Sequence, residues 1–473
     1  MALTQRSDPG REALELARET LRGSRCWVVG GAVRDELLGA PPSTDLDLVI
    51  AGAVAPAARA LARAADATAF SLSDEFGAWR VVARSRGWQA DLNPLRGESL
   101  EADLRLRDFT INAIAAPLGG GELIDPLGGA TDLASRRLRL AAPDALEADP
   151  LRALRLVRLA CELDLKADEH ARQAARRAAP GLALVSSERI YAELRRMIAS
   201  DRPGAGMRLS LELGLCAVIL PELEALRGVE QSRYHHLDVL DHTLAVLDCA
   251  VDLQREPGAL LGGEHAEAVR ALLARPLADE LTRGDALRFG ALLHDIAKPQ
   301  TRTVPSDGRT RFIGHDSMGA ELARAILGRL RAAERMRAHV AALTRHHLRL
   351  GFLVPHAPLS RRELYAYLDA CEPVWADVTL LSAADRLATR GARSEEAIER
   401  HLELARSVIG EALSWQRHGR PPALVRGDQL ARALGLAPGP LIGELLAAIA
   451  AEAFAGELHS ADDAIAFAAA RIA

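Results

Sequence analysis

Strand-like runs of residues occur only in the first third of this 473-residue chain. From about Ala145 onward, Ala, Leu, Arg and Glu dominate, and apolar residues recur at the i, i+3 and i+4 spacing of a helix. The sequence therefore predicts an α+β fold, in which a head with a small mixed β-sheet is followed by an all-helical neck, a helical body and a C-terminal helical unit. The runs that predict strands are Cys26–Val29, Leu46–Ile50, Trp79–Ala83, Trp88–Leu92 and, as a fifth candidate, Gly121–Ile124.

Length and composition limit the class of protein. A chain of 473 residues exceeds what one hydrophobic core usually holds, so we expect two to four domains. No run reaches the roughly 18 uncharged apolar residues that a membrane helix needs, so we expect no membrane partner and a cytosolic location. The segments Glu256–Gly263 and Arg417–Pro422 have the composition of a loop and a linker. The cysteines lie far apart without a Cys-x-x-Cys pair, which argues against disulfides and a thiolate zinc site; they are Cys26, Cys161, Cys216, Cys249 and Cys371.

A glycine pair follows the first predicted strand. In Gly30-Gly31-Ala32-Val33-Arg34-Asp35, the glycines let the backbone turn tightly, and a helix that starts near Val33 would point free N–H groups at phosphate oxygens. Further on, the alternation in Asp45-Leu46-Asp47-Leu48 places both aspartates on one face of a strand. The combination predicts a nucleotidyl-transfer site. If only one of the two motifs is considered, the alternative is an ordinary turn for the glycine pair and a solvated strand edge for the aspartate pair.

The aspartate pair predicts Mg²⁺ as the cofactor of this site. Mg²⁺ takes one or two protein carboxylates together with substrate phosphates, and a nucleoside triphosphate supplies those phosphates. Asp91, on the predicted strand Trp88–Leu92, is a candidate third carboxylate, and a structural role at a strand end is the alternative.

Two further motifs close the predicted head, Arg107-Asp108-Phe109-Thr110-Ile111-Asn112-Ala113 and Asp125-Pro126-Leu127-Gly128-Gly129. Taken with the glycine and aspartate motifs, they resemble the class II tRNA nucleotidyltransferase and bacterial poly(A) polymerase family. That family usually has two arginines before Asp-Phe-Thr-Ile-Asn-Ala, whereas this chain has Leu106 at the first position. The resemblance implies catalytic Mg²⁺ on Asp45 and Asp47, triphosphate contacts from Gly30, Gly31 and Arg34, and contacts to the sugar region from Arg107 and Asp108.

A charged stripe with a three-residue spacing begins the predicted neck, and it consists of Asp149, Arg152, Arg155 and Arg158. The spacing places these residues on one side of a helix, with Pro150 in its first turn. The stripe resembles the family's nucleotide-reading helix, except that Ala148 replaces a glutamate. A carboxylate can accept from the exocyclic amine of cytosine and adenine, and a guanidinium can donate to the neighbouring ring nitrogen, so the resemblance implies a protein template for C and A. The alternative is a surface helix whose arginines pair with nearby acids.

A second constellation lies in the helical body and resembles an HD phosphohydrolase domain. Imidazole and carboxylate ligands suit a divalent transition metal such as Mn, Ni, Co or Fe. The resemblance implies a metal-dependent hydrolase of phosphomonoesters or cyclic phosphates at RNA ends. The implied ligands are His242, His294, Asp295 and Asp385, with His315 and His347 added in binuclear members.

The predicted function is template-independent addition or repair of the 3′-terminal CCA of tRNA, with CTP and ATP as substrates. The neck supports an RNA partner, because residues 151–210 hold 12 Lys and Arg against 7 Asp and Glu. Residues 425–473 resemble the family's C-terminal RNA-contacting unit. A poly(A) polymerase and a CC- or A-adding enzyme share these motifs, and an HD phosphohydrolase whose head only docks RNA is an alternative of another class. The predicted domain ranges are 20–145 for the catalytic head, 146–205 for the neck, 206–410 for the HD domain and 423–473 for the C-terminal unit.

Overall fold

The computed structural model describes residues 8–231, 236–390 and 394–472. The chain divides into two compact units, the first formed by residues 1–185 with 212–215 and the second by residues 186–211 with 216–473. The first unit contains a mixed sheet and the second is mainly helical, so the predicted α+β class is confirmed. The four predicted domain ranges stay predictions.

A six-stranded sheet forms the centre of the first unit, in the order β3-β4-β5-β2-β1-β6. Only the pair β2–β5 is parallel, which makes the sheet mixed. Leu46, Leu48 and Ile50 of β2 lie in the hydrophobic core on one side of the sheet. The strands are β1 (Cys26–Val29), β2 (Asp45–Ile50), β3 (Thr68–Ser73), β4 (Ala78–Ala83), β5 (Trp88–Pro94) and β6 (Ala115–Pro117).

Four of the five predicted strands are confirmed, and the sequence pattern misses the two remaining strands of this six-stranded sheet, β3 and β6. The prediction for Gly121–Ile124 is wrong, because Ile124 makes only an isolated bridge to Ala115. The sequence pattern does not predict β3 because β3 is an edge strand with mostly exposed side chains. It does not predict β6 because β6 has only three residues and ends in proline.

The helices of the first unit cover the sheet and continue into the predicted neck. They are α1 (Pro9–Thr20), α2 (Gly31–Leu37), α3 (Val54–Ala65), α4 (Leu100–Arg105), α5 (Gly129–Ala134), α6 (Ala145–Ala148), α7 (Leu151–Glu162) and α8 (Glu169–Ala178). Thr110–Asn112 and Ala179–Leu184 form 3₁₀ helices, and β7 (Arg137–Leu138) pairs in parallel with β8 (Lys166–Ala167).

The second unit contains the remaining helices. They are α9 (Ser187–Ala199), α10 (Pro203–Glu212), α11 (Cys216–Ile219), α12 (Pro221–Glu224), α13 (Val239–Arg255), α14 (Pro257–Leu261), α15 (Gly263–Leu273), α16 (Arg283–Leu293), α17 (Lys298–Thr301), α18 (His315–Arg329), α19 (Glu334–His346), α20 (Arg349–Leu353), α21 (Arg361–Ala370), α22 (Trp375–Ala388), α23 (Ser394–His418), α24 (Gly427–Leu434), α25 (Pro440–Ala455) and α26 (Ala461–Ile472), with a 3₁₀ helix at Val354–His356.

Two sequence predictions for this region are corrected. Short hairpins interrupt the helices, formed by β9 (Pro276–Ala278) with β10 (Leu281–Thr282) and by β11 (Arg302–Thr303) with β12 (Arg311–Phe312). The loop predicted at Glu256–Gly263 contains α14, because its proline occupies the first turn of a helix, where proline is well tolerated.

The remaining expectations on the fold concern the linker, the cysteines and membrane helices. Helix α23 extends to His418, so the predicted linker begins at Gly419. Each of the five cysteines is a free thiol, as the spacing predicts. Within the described ranges, none of the helices is both long and apolar enough to cross a bilayer.

Candidate nucleotidyl-transfer and metal sites

The glycine turn brings two predicted site residues together. Gly30 follows β1 with φ +74°, a conformation that favours glycine, and helix α2 begins at Gly31, two residues earlier than predicted. A Cβ on Gly30 would lie 3.2 Å from Nη1 of Arg107 and 3.3 Å from Oδ2 of Asp47. The turn therefore lies directly against the aspartate motif and the arginine that precedes Asp108.

The aspartate pair is presented on β2 as the alternation predicts. Asp45 is exposed and Asp47 half-buried, whereas Leu46 is buried on the other face. Burial raises the pKa of Asp47 to about 6, Arg107 opposes this shift, and Asp45 and Asp91 add to it. A carboxylate that is costly to ionise in the protein alone gains most from a bound cation.

Asp91 lies beside Asp47, because β5 runs parallel to β2 with these two residues in register. Its oxygens accept hydrogen bonds of 2.6 and 2.7 Å from Nε and Nη2 of Arg80 on β4. This bidentate pair supports the structural role that the sequence left as the alternative, and a metal-binding role of Asp91 stays a prediction. Arg80 has no sequence signal of its own, since its position opposite Asp91 depends on strand pairing.

A chain of polar contacts links the glycine motif to the neck helix α7. Arg34 is 8% exposed and donates from Nε to Asp35 at 2.8 Å and from Nη1 to Oδ1 of Asn112 at 2.7 Å. The amide of Asn112 donates to Asp108 at 3.0 Å, and Asp108 accepts from Nε of Arg155 at 2.9 Å. Burial alone would raise the pKa of Asp108, but Arg155 and Asn112 together lower it. Asn112 belongs to a recognised motif, but its contacts with both Arg34 and Asp108 could not be predicted from the sequence.

Arg152 and Asp149 lie at the start of the same helix. Arg152 donates to the backbone carbonyl oxygens of Ala145 and Leu106, each at 3.0 Å. Asp149 accepts a hydrogen bond of 3.2 Å from the backbone N–H of Leu151 at Oδ1. Arg152 therefore holds the backbone of the segment that precedes Arg107 and Asp108, so the base-reading motif and the sugar-region motif are joined.

The last arginine of the stripe has a different environment. Arg158 is 2% exposed and forms an ion pair with Glu162 one turn further along α7. Arg155 is likewise paired with Asp108. Both arginines are therefore paired with acidic side chains, as the alternative interpretation of the stripe proposes. The two ion pairs stabilise helix α7, which begins just after Asp149.

The motif that begins at Asp125 has a structural role in the head, where it packs against the 3₁₀ turn at Thr110–Asn112. Its carboxylate accepts from the backbone N–H groups of Gly129 at 2.7 Å and Ala130 at 2.9 Å, which are orphan donors at the start of α5. A Cβ on Gly129 would lie 2.1 Å from the carbonyl oxygen of Thr110, so only glycine allows this approach. The motif thereby fixes the 3₁₀ turn that carries Asn112.

The second constellation is assembled from separate helices of the body. His242 lies on α13 and Asp385 on α22, whereas His294 and His347 terminate α16 and α19. His315 is the first residue of α18. These helices pack against one another, so residues far apart in sequence share one buried cluster with Asp295.

Asp295 is the centre of this cluster. Its Oδ2 lies 3.1 Å from Nε2 of His294, and its Oδ1 lies 3.3 Å from Nε2 of His315 and 3.8 Å from Nε2 of His347. Nε2 of His242 is 3.0 Å from Asp385. All six sequence-predicted ligands are therefore brought together.

The orientation of the imidazoles fits a metal-binding role. Nδ1 of His294, His315 and His347 lies 2.6–2.8 Å from a backbone carbonyl oxygen three residues earlier, which leaves Nε2 of each ring facing the cluster. Among the described residues, Nε2 of His294 and of His315 has no partner in hydrogen-bond geometry, although Asp295 is close. Burial lowers the pKa of His347 to about 4, with His294 adding to the shift, so this ring is neutral, as a ligand must be. The donor set fits one or two divalent ions.

Lys298 is a further residue at this cluster to which the sequence assigned no role. Its Nζ lies 2.7 Å from Oδ2 of Asp295 and 2.6 Å from Oε1 of Gln231. Lys298 lies in the sequence motif that begins at His294, but its contact with Asp295 depends on the turn that follows α16.

Comparison with known proteins agrees with this division of sites. Residues 26–139 match the poly A polymerase head domain, residues 164–226 the probable RNA- and SrmB-binding site of polymerase A, and residues 239–390 the HD domain. The A-adding tRNA nucleotidyltransferase of Deinococcus radiodurans is 37% identical over 93% of this chain and 94% of its own length. The chain belongs to the tRNA nucleotidyltransferase family.

Other members of the tRNA nucleotidyltransferase family are nearly as similar. The CC-adding enzyme of Thermus thermophilus is 35% identical over 93% of this chain and 92% of its own length, and the multifunctional CCA protein of a Xanthomonas campestris strain is 32% identical over 87% and 97%. Among solved structures, an apo CCA-adding enzyme has a TM-score of 0.65 with 18% identity and covers 99% of this chain and 96% of its own, which shows a shared fold.

Proposed function

We propose that this chain adds nucleotides from CTP and ATP to the 3′ end of tRNA and thereby builds or repairs the CCA terminus. The observation that carries the proposal is the convergence of the Gly30 turn, Asp47 and Arg107 beside the exposed Asp45. Relatives that match 87–93% of the chain are an A-adding and a CC-adding tRNA nucleotidyltransferase and a multifunctional CCA protein, which supports tRNA as the acceptor.

In this reaction, the terminal 3′-hydroxyl of the tRNA attacks the α-phosphorus of the nucleotide, and pyrophosphate leaves. Mg²⁺ held by Asp45 and Asp47 would lower the pKa of the attacking hydroxyl and neutralise charge on the leaving group. Gly30 and Gly31 let the triphosphate approach the backbone, and Arg34, oriented by Asn112, supplies positive charge.

Asp149 and Arg152 are the proposed base-reading pair. Their position at the start of α7, tied to the backbone of Leu106, supports a rigid template that pairs with the amino group and ring nitrogen of C or A. Arg107 and Asp108 are proposed to contact the sugar region. A direct contact of Arg155 or Arg158 with the nucleotide stays a prediction, and their ion pairs support a positioning role.

Addition of only A or only CC is the second candidate, and the names of the relatives favour it. The A-adding and CC-adding relatives are 37% and 35% identical to this chain, whereas the multifunctional CCA protein is 32% identical. Long poly(A) synthesis is the remaining candidate within the family.

One assay distinguishes these products. tRNA transcripts that lack all of CCA, lack only the final A or are complete are incubated with the protein and each nucleoside triphosphate, and the 3′ ends are sequenced. Repair of both truncated transcripts is expected. Extension of only one transcript would replace the CCA proposal with A or CC addition, and long A-tails on unrelated RNA would refute it. Asp45→Ala is expected to abolish extension in every case.

A phosphohydrolase activity of the HD site is proposed in addition. It is supported by the Nε2 atoms of His294 and His315, which face Asp295 without hydrogen-bond partners among the described residues. A divalent transition metal held by the four histidines, Asp295 and Asp385 would supply an activated water for phosphoester hydrolysis. Release of inorganic phosphate from 3′-AMP, stimulated by Mn²⁺ or Ni²⁺ and retained in Asp45→Ala, tests the assignment. A purified protein that releases no phosphate with any divalent ion would refute it.

A further inference from the structure

A buried carboxylate in the head contacts two arginines. Asp103 lies on α4 and is 1% exposed. Its Oδ1 accepts hydrogen bonds of 3.1 Å from the backbone N–H of Arg96 and of 3.2 Å from Nε of the same residue. Its Oδ2 lies 3.6 Å from Nη2 of Arg107. Because an aspartate is almost never fully buried without cationic partners, these two contacts explain how Asp103 is accommodated.

The two contacts of Asp103 differ in kind. Arg96 is hydrogen-bonded to the carboxylate, whereas Oδ2 of Asp103 and Nε of Arg107 are both buried and have no hydrogen-bond partner among the described residues. Arg107 is therefore held by charge and not by directed hydrogen bonds. A buried N–H group without an acceptor is costly, so the free Nε–H of this guanidinium is expected where a ligand supplies the acceptor.

The guanidinium of Arg107 also lies close to the metal-binding motif. A Cβ on Gly30 would be 3.2 Å from Nη1 of Arg107 and 3.3 Å from Oδ2 of Asp47. Burial lowers the pKa of Arg107, and of the acids that oppose this shift Asp103 has the largest effect and Asp47 the next. Without the charge of Asp103, Asp47 would be the strongest counter-charge, and the guanidinium would be drawn toward a carboxylate that is proposed to bind Mg²⁺.

We propose that Asp103 is a positioning residue of the nucleotidyl-transfer site, which holds Arg107 away from Asp47 and keeps its guanidinium available for the sugar region of the incoming nucleotide. The inference rests on the proposed nucleotide addition and adds a residue that touches neither the nucleotide nor the metal. Because Asp103 acts through Arg107, its effect on nucleotide binding has to disappear when Arg107 loses its charge.

A double-mutant cycle on nucleotide binding tests the proposal. Equilibrium binding of CTP with Mg²⁺ is measured on the full chain without tRNA, so that no extension occurs, for wild type, Asp103→Asn, Arg107→Gln and the double variant. Asp103→Asn keeps the shape of the side chain and an acceptor for Arg96, and it should raise the Kd about tenfold. In the Arg107→Gln background, the same change should alter the Kd less than about twofold. Equal effects in the two backgrounds would overturn the proposal.

Glu12→Gln is the matched control. It neutralises a half-buried carboxylate of the same unit, which forms an ion pair with Arg86. The Kd for CTP should change less than about twofold, because this pair contacts neither Arg107 nor Asp103. A loss of affinity as large as that of Asp103→Asn would mean that the effect is not specific to Asp103 and would overturn the assignment.

The Mg²⁺ dependence of CTP binding separates a positioning role from a merely structural one. If Arg107 moves toward Asp47 in Asp103→Asn, the guanidinium competes with the cation for this carboxylate. The Mg²⁺ concentration at half-maximal CTP binding should then rise about threefold in Asp103→Asn, and it should not rise in the double variant. An unchanged Mg²⁺ requirement in Asp103→Asn would contradict the proposal.

Thermal denaturation of the same four proteins gives a second measurement that does not depend on ligand binding. Asp103→Asn should lower the Tm more in the wild-type background than in the Arg107→Gln background, because the buried guanidinium loses its main partner only in the former. Equal decreases would mean that Asp103 stabilises the head independently of Arg107, which would overturn the proposal. If the wild-type protein binds neither CTP nor ATP, the proposed nucleotide addition fails together with this inference. Wild-type binding with a Kd that Asp103→Asn leaves unchanged would contradict only the role of Asp103.

Discussion

In the head, Arg34, Asn112, Asp108 and Arg155 form an unbroken series of hydrogen bonds, so each of these four side chains has a partner within the protein. In the helical body, the histidines converge on Asp295 instead, and Nε2 of His294 and of His315 has no hydrogen-bond partner among the described residues. A buried polar group without a partner is costly. We therefore propose that the partnered network positions the site without a ligand, whereas the histidine cluster is completed by a bound metal.

The largest expected effect concerns the aspartate pair of the head site. Asp47→Asn keeps the shape of the side chain but removes a charge that Mg²⁺ requires, so nucleotide addition to tRNA should fall by about 10³-fold. Release of phosphate at the HD site should be unchanged. Glu122→Gln, at an exposed carboxylate of the same unit, is the control and should retain full extension activity. Extension that survives in Asp47→Asn would show that the metal assignment is wrong.

A second prediction compares a partnered carboxylate of the body with the histidine cluster. Asp377 is fully buried and ion-paired with Arg283 and His339. Removing one partner of a buried pair leaves the other charge uncompensated, so Asp377→Ala should lower the free energy of unfolding by about 3–5 kcal/mol, measured by urea denaturation. Asp369→Ala, which breaks an exposed pair with Arg420, should cost only about 0–1 kcal/mol. Similar costs for the two variants would contradict the interpretation.

The pH dependence of stability follows from the same carboxylate. Burial alone would raise the pKa of Asp377, but His339 and Arg283 outweigh it and hold the pKa below the usual value of 3.8. The unfolded chain then binds more protons than the folded one, so the contribution is complete above about pH 4 and is lost as the pH falls below that value. The free energy of unfolding of the wild-type protein, measured by denaturation, should therefore fall more steeply with decreasing pH below about pH 4. Asp377→Asn should remove this part of the pH dependence.

A divalent transition metal should stabilise the protein through the histidine cluster. At a free Mn²⁺ or Ni²⁺ concentration of about 100 Kd, one bound ion adds about 2.7 kcal/mol to the free energy of unfolding. Thermal denaturation of wild-type protein and of His294→Gln, with and without the ion, measures this gain. The variant should gain much less. An equal rise in Tm for both proteins would locate the stabilising ion elsewhere.

The smallest expected effect concerns the partnered network of the head. Asn112→Ala removes the acceptor of Arg34 and a donor to Asp108, so stability should fall by about 1–3 kcal/mol and KM for the nucleoside triphosphates should rise. Asn112→Asp is the sharper variant, because it keeps an acceptor for Arg34 but places a second carboxylate beside Asp108. It should be at least as damaging as Asn112→Ala. A silent Asn112→Asp would show that the network does not position the site.

The sequence predicted well wherever the signal is local or is a family motif. The alternation of Asp45 and Asp47 with buried leucines is a property of one strand, and all six residues of the predicted histidine and aspartate set do converge. Prediction from the sequence failed for strands that depend on pairing with their neighbours, as at β3 and β6. It also failed for side chains whose partners lie on other helices or strands. The ion pairs of Arg80 with Asp91 and of Arg158 with Glu162 could not be predicted from the sequence, and they support the structural alternatives for Asp91 and Arg158.

The sequence by itself determined the division into a mixed α+β head and a helical body and predicted the phosphate and Mg²⁺ motif of the head. These follow from residue type and spacing, which act within one strand, one turn or one helix, whereas the metal-ligand candidates of the body follow from the resemblance to HD phosphohydrolases. Only the tertiary structure decided which charges are neutralised by the protein and which are left for a ligand. Burial and partner geometry depend on how the elements pack, and this packing leaves Nε2 of His294 and of His315 facing a shared site.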